Sequence, residues 1–189
     1  MNRLKYMLTL VLILAAAMML VACAGKTKVK SDLYIKHAPD WVNEGTNILK
    51  NRGGRLFHGV GSAPAMGDMS LQTSTADNRA RAELARILSS YMKVVSSDYA
   101  SAAPAGEDAN MSQSISRQIE NFTNINLTGS RIIGRWRDKK TNVIYSIAEL
   151  DMEQVKKTVE GVEEMNQGLK TYLVNEGDNI FDNMTGDVR

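Results

Sequence analysis

Cysteine is almost absent from this sequence of 189 residues: there is one, beside two histidines and three prolines. A lone thiol forms no internal disulfide, and with two histidines it falls short of a structural zinc site. Aromatic residues make up 6% and charged residues 23%, and 14 glycines follow no repeat. Collagen-like, disulfide-stapled and wholly disordered chains are thereby excluded. An excess of charge of one sign is also missing. The formal charge of +2 traces to Arg3 and Lys5; residues 23–189 hold 21 bases against 21 acids. Without a surplus of Lys and Arg on the folded part, no nucleic-acid partner is expected. The length suits one domain with a modest core.

What is present begins with Met1-Asn2-Arg3-Leu4-Lys5-Tyr6, basic and free of acids. An apolar run follows over 7–20, broken only by Thr9, and then Leu20-Val21-Ala22-Cys23. A basic start, a short apolar stretch and small residues before a break define a secretory signal peptide, and the run is short for a membrane-spanning helix. Leu-Val-Ala-Cys resembles the lipobox of bacterial lipoproteins, where the Cys becomes the acylated first residue of the mature chain. Several acyl chains at about 0.8 kcal/mol per buried methylene make such an anchor effectively permanent. The resemblance implies a signal peptide over 1–22 and lipidation at Cys23. Ala24, where an Asp would retain the protein at the inner membrane, implies the outer membrane and contact with its lipid through Cys23.

Residues 23–36 read as a basic, flexible tether carrying Lys26, Lys28, Lys30 and Lys36. A domain is expected over 37–176, opening at Pro39-Asp40-Trp41. Leu56-Phe57-His58-Gly59-Val60 is a strand candidate, closed by Gly61-Ser62-Ala63-Pro64. Ala76, Ala80, Leu84, Ile87, Leu88, Tyr91 and Val95 form a helical stripe, predicting a helix over 70–99. Met111, Ile115, Ile119, Phe122 and Ile125 predict a second. Residues 131–137 and 143–150 read as strands joined by the polar turn Asp138-Lys139-Lys140-Thr141-Asn142, with Ile133 inward. Asp151 caps a last helix in which Met152, Val155, Val159, Val162, Asn166, Leu169 and Leu173 keep heptad spacing. A frayed tail is expected over 177–189. The fold class is α+β: a small, mainly antiparallel sheet packed against helices, with a long C-terminal helix.

Candidates for chemistry are few. Nucleophilic catalysis needs a nucleophile and an oriented base, yet the one Cys is committed to the anchor and His37 lies at the tether. His58 reads as a strand residue satisfied locally. Glu149 with Asp151, and Glu163 with Glu164, are paired carboxylates, but Asp151 serves as a cap and the glutamates solvate a helix. Gly59-Val60-Gly61 lacks the third glycine of a dinucleotide turn, since position 64 is Pro. No catalytic residue, metal or cofactor is expected, and the chain reads as a non-enzyme. Arg131, Arg135, Trp136, Arg137, Lys139 and Lys140 cluster; a charge-blunted strand edge is the simpler reading, and contact with lipid headgroups or a cell-wall polymer the other.

Pro39-Asp40-Trp41, Phe57-His58-Gly59-Val60-Gly61-Ser62-Ala63, 76–85 (Ala-Asp-Asn-Arg-Ala-Arg-Ala-Glu-Leu-Ala) and 145–151 (Tyr-Ser-Ile-Ala-Glu-Leu-Asp) together resemble the lipoprotein-20 family of small bacterial lipoproteins. The resemblance spans most of 39–173. It implies no catalytic residues and a structural or accessory role in the cell envelope, since some members form periplasmic rings or disks around the flagellar motor. A related fold in lipoproteins that activate peptidoglycan synthases implies the alternative of a regulator binding a periplasmic partner. The heptad seam adds a surface: beyond Gly161 little core is expected for Leu169 and Leu173 to cover. Asn166, Leu169 and Leu173 are therefore expected to face a second copy or a periplasmic protein.

Overall fold

The computed structural model describes residues 34–46, 54–102, 118–119, 122–123, 127, 129–163 and 165–186. One compact unit runs from Ile35 to Arg189. The expected signal peptide and Cys23 lie outside the described residues, as does most of the helix expected over 111–125. From that helix Ile119 and Phe122 are described, and both are buried in the core.

A short helix, α1 (Asp40–Asn43), comes first. Its last residue folds back on the approach: Asn43 accepts from the Ile35 N–H and donates to the Ile35 carbonyl at 2.8 and 3.0 Å. Strand β1 (Leu56–Ala63) follows, and then the dominant helix, α2 (Met69–Ala102). Asp68 starts α2 by accepting from the Ser70 and Leu71 N–H groups, which fills two of the donors a helix start leaves open. Ala76, Ala80, Leu84, Leu88, Tyr91, Met92 and Val95 form its buried face. Alanines near the start of that face let the helix lie close to β1, and two glycines meet them. A Cβ on Gly59 would stand 2.3 Å from the Ala80 carbonyl oxygen, and one on Gly61 would stand 2.2 Å from the Ala80 nitrogen. Backbone rests on backbone there.

Strands β2 (Arg131–Arg137) and β3 (Ile144–Asp151) form the hairpin expected from the polar turn, and β3 pairs antiparallel with both β1 and β2 in the order β1-β3-β2. The register sets Phe57 against Leu150, Gly59 against Ala148 and Gly61 against Ser146, all on the α2 side. Side chains alternate along strands, so His58, Val60, Ser62, Tyr145, Ile147 and Glu149 occupy the other face. Between Ile132 and Gly134 the register with β3 shifts. That irregularity corrects the inward placing of Ile133, which is 46% exposed while Ile132 packs against the core. The fold is α+β, with a three-stranded antiparallel sheet and helices.

The C-terminal part departs most from expectation. The single helix with a heptad seam is two helices, α3 (Met152–Gly161) and α4 (Gln167–Thr185). Asp151 caps α3 as expected, accepting from the Glu153 N–H at 3.0 Å. The chain then turns, and Asn166 caps α4 by accepting from the Leu169 N–H at 3.0 Å. Asn166 is thus a helix start and not a polar residue within a seam. Leu169 and Leu173 are fully buried in the domain's own core, which removes them as a docking surface. The tail expected from 177 is helical through Thr185. Ile180 and Phe181 are buried, and Phe181 meets Phe57 edge-on at 5.0 Å while Phe57 meets Tyr91 at 5.2 Å. α4 supplies the apolar cover that the shorter helix lacked.

Candidate functional site

Among the described residues four polar groupings bear on possible chemistry, and three of them are tied into the domain's own framework. On the face of the sheet away from α2, the register lines up His58, Glu149 and Arg131 across all three strands. Glu149 stands 3.2 Å from His58 Nε2 through one oxygen and accepts from Arg131 Nη2 at 2.9 Å through the other. Burial pushes the His58 pKa below its ordinary value, and the adjoining Glu149 carboxylate offsets part of that effect. The arrangement holds an imidazole beside a carboxylate. Among the described residues no hydroxyl or thiol hydrogen-bonds to that imidazole, so the arrangement offers no activated nucleophile.

On the α2 side, Asp77 accepts two parallel hydrogen bonds from Arg135 at 2.8 and 2.6 Å and one from the Ser146 hydroxyl at 2.7 Å. The guanidinium is the main cause that lowers the Asp77 pKa, with Ser146 adding to it. One helix and two strands are stitched by this buried carboxylate. The third grouping closes the domain. Arg55, just ahead of β1, donates to both oxygens of Asp182 at 2.8 and 2.6 Å and lies 3.1 Å from Asp178, which also faces Lys156 at 2.7 Å. Little in the sequence pattern marks this set, because Arg55 and Asp182 are 127 residues apart. Acidic residues at Asp178 and Asp182, four apart on one helix face, are the one signal that a cation would be gathered there.

The fourth grouping is the remainder of the basic cluster. Arg131 and Arg135 are committed to Glu149 and Asp77. Arg137, Lys139 and Lys140 are exposed and have no carboxylate partner among the described residues. Trp136 is half-buried, facing its register partner Tyr145 with ring centres 5.7 Å apart. The structure therefore divides a cluster that reads as one run in the sequence.

The other candidates fall to structural tasks. Asp151 caps α3 and is not gathered with His58 and Glu149. The glycines of Gly59-Val60-Gly61 receive α2, leaving no cradle for a phosphate. A shallow groove of about 270 Å³ lies along the end of α3 and the start of α4, lined by Glu160, Gln167, Lys170, Thr171, Val174 and Asn175. None of His58, Glu149 and Asp151 reaches it. Among the described residues no cluster of His, Cys, Asp and Glu could hold a metal ion, and no helix is long and apolar enough to cross a membrane. No protein-family model matches the chain, and no curated protein matches it.

Proposed function

We propose that this chain is a lipid-anchored lipoprotein of the bacterial outer membrane with a structural or accessory role in the cell envelope. Leu20-Val21-Ala22-Cys23 carries the reading: four constraints coincide at the end of a signal-like apolar run, and the chain's one thiol sits where acylation requires it. The likeness of its motifs to the lipoprotein-20 family supports the accessory role. So does the use of its buried charged groups as straps between elements. Cys23→Ser should leave an unprocessed precursor and empty the outer-membrane fraction, read by fractionation, detergent partitioning and the intact mass of the mature N-terminus. A Cys23→Ser chain that is processed and membrane-bound like the native one overturns the proposal.

A further inference from the structure

We propose that the end of the sheet formed by the β2–β3 turn and the first turn of α2 docks on an anionic phospholipid surface. The inference rests on the lipid-anchor reading for the nearness of a membrane, and on the structure for the surface itself.

Two segments far apart in sequence meet at this end. Ala63, Ile144 and Arg137 form one row across the three strands. Gln72, in the first turn of α2, donates to the Ala63 carbonyl at 3.2 Å and to the Asn142 carbonyl at 2.7 Å. The helix start is thereby fixed beside the β2–β3 turn. Arg137, Lys139 and Lys140 are exposed around that turn, where Lys140 lies in the field of Asp138, and Arg79 donates to the Ser62 carbonyl nearby. Two acids stand at this end, Asp68 and Asp138, each accepting hydrogen bonds from local donors, and they leave the four cations in excess. Asp68 caps α2, and Asp138 accepts from the Lys140 N–H and the Thr141 hydroxyl.

The same start of α2 leaves two large apolar side chains in solvent, Met69 at 52% exposed and Leu71 at 57%. Exposed apolar groups ringed by Lys and Arg are the composition of an interfacial membrane contact: the cations meet headgroups while the apolar groups enter the acyl boundary. A soluble polyanion would satisfy the cations and leave Met69 and Leu71 without a role, which favours lipid over an anionic cell-wall polymer. The rest of the charge distribution fits the same orientation. α3, which leaves the sheet at its opposite end, and α4 carry Glu153, Glu160, Glu176, Asp178 and Asp182, balanced by Lys156, Lys157, Lys170 and the Arg55 paired with Asp178 and Asp182. An anionic surface would draw the end that bears the excess of cations more strongly than the other. The tether residues Lys26, Lys28 and Lys30 bear the same sign as the docking end.

The chain's one Cys permits a site-specific test. With Cys23 acylated, Leu71→Cys carries a single environment-sensitive dye, and the lipidated protein is reconstituted into phosphatidylcholine vesicles with or without about one-third phosphatidylglycerol. Docking predicts a blue shift and quenching by bilayer-borne nitroxides in the anionic vesicles alone. Both should vanish in high salt, and in the Arg137→Gln/Lys139→Gln/Lys140→Gln variant with an unchanged melting curve. The same dye signal in both vesicle types, or in the triple variant, overturns the inference and leaves the anchor intact. Salt-sensitive pelleting with peptidoglycan sacculi in the absence of a vesicle signal also overturns it, assigning the cations to a polymer. An intact mass showing unmodified Cys23 refutes the anchor instead. The surface is then decided by vesicle flotation, where the triple variant should partition about a hundredfold more weakly if the inference holds and equally if it does not.

Discussion

β1 and α4 both lean on α2, but through different kinds of atom. At β1 the glycines Gly59 and Gly61 face helix backbone, with the atoms of Ala80 and Leu84 nearest the missing Cβ positions. At α4 the missing Cβ of Gly177 faces the Tyr91 hydroxyl at 2.7 Å, and that hydroxyl already donates to the Gly177 carbonyl at 2.9 Å. The first contact is set by the paths of two whole elements. The second is set by one side-chain tip. Glycine is required at both, for a reason belonging to the architecture in one case and to a single neighbour in the other.

That distinction breaks or stands on three measurements. The largest effect belongs to Gly61→Ala, which must lift α2 from the sheet; a loss above about 3 kcal/mol in urea unfolding is expected, at the upper end of overpacking costs. A loss under about 1 kcal/mol would mean that α2 yields more easily than backbone packing allows. Gly177→Ala should cost about 1–2 kcal/mol in the native background. In a Tyr91→Phe background the hydroxyl contact is gone, while the Leu173 Cδ1 contact at 3.2 Å and alanine's helix preference remain, so the same substitution should cost less by about 1 kcal/mol. An equal cost in both backgrounds would erase the contrast.

The smallest effect separates the outer face of β1 from the contact at α4. Burial keeps the His58 pKa below the ordinary 6.5, so the unfolded chain takes up its proton first as the solution is acidified. The stability this contributes is whole above the unfolded pKa and is lost as pH falls below it. His58→Gln should flatten the dependence of Tm on pH just below 6.5, whereas Gly177→Ala should retain it. An unchanged slope in His58→Gln would assign the acid sensitivity to other groups.

The hairpin, the long α2 stripe and the cap at Asp151 were legible because each rests on local pattern: strand alternation, three-four spacing, a side-chain acceptor just before a helix. Gly59 and Gly61 were visible as glycines at the end of a strand, but the helix backbone that they receive was not. The break between α3 and α4 was hidden because Val159, Val162, Leu169 and Leu173 keep helical spacing across it. A segment of turn there leaves that spacing undisturbed. The signal that opposes it is Gly161 followed by Asn166, a helix stop and then an N-cap. The division of the basic cluster was not readable at all. Which arginines are satisfied depends on Asp77 and Glu149, whose positions beside β2 exist only in the folded sheet.

The pairing of Arg55 with Asp182, described above as a closure, also bears on the order of events during synthesis. β1 finds its partner strand only after Leu150 has been made, and the aromatic pair Phe57 and Tyr91 gains its third member only when Phe181 follows. Contacts of such long sequence separation form late, since loop closure precedes any gain from them. A nascent chain therefore holds β1 unpaired and its aromatic residues uncovered for most of its elongation. Such a polypeptide stays open until β3 and α4 exist.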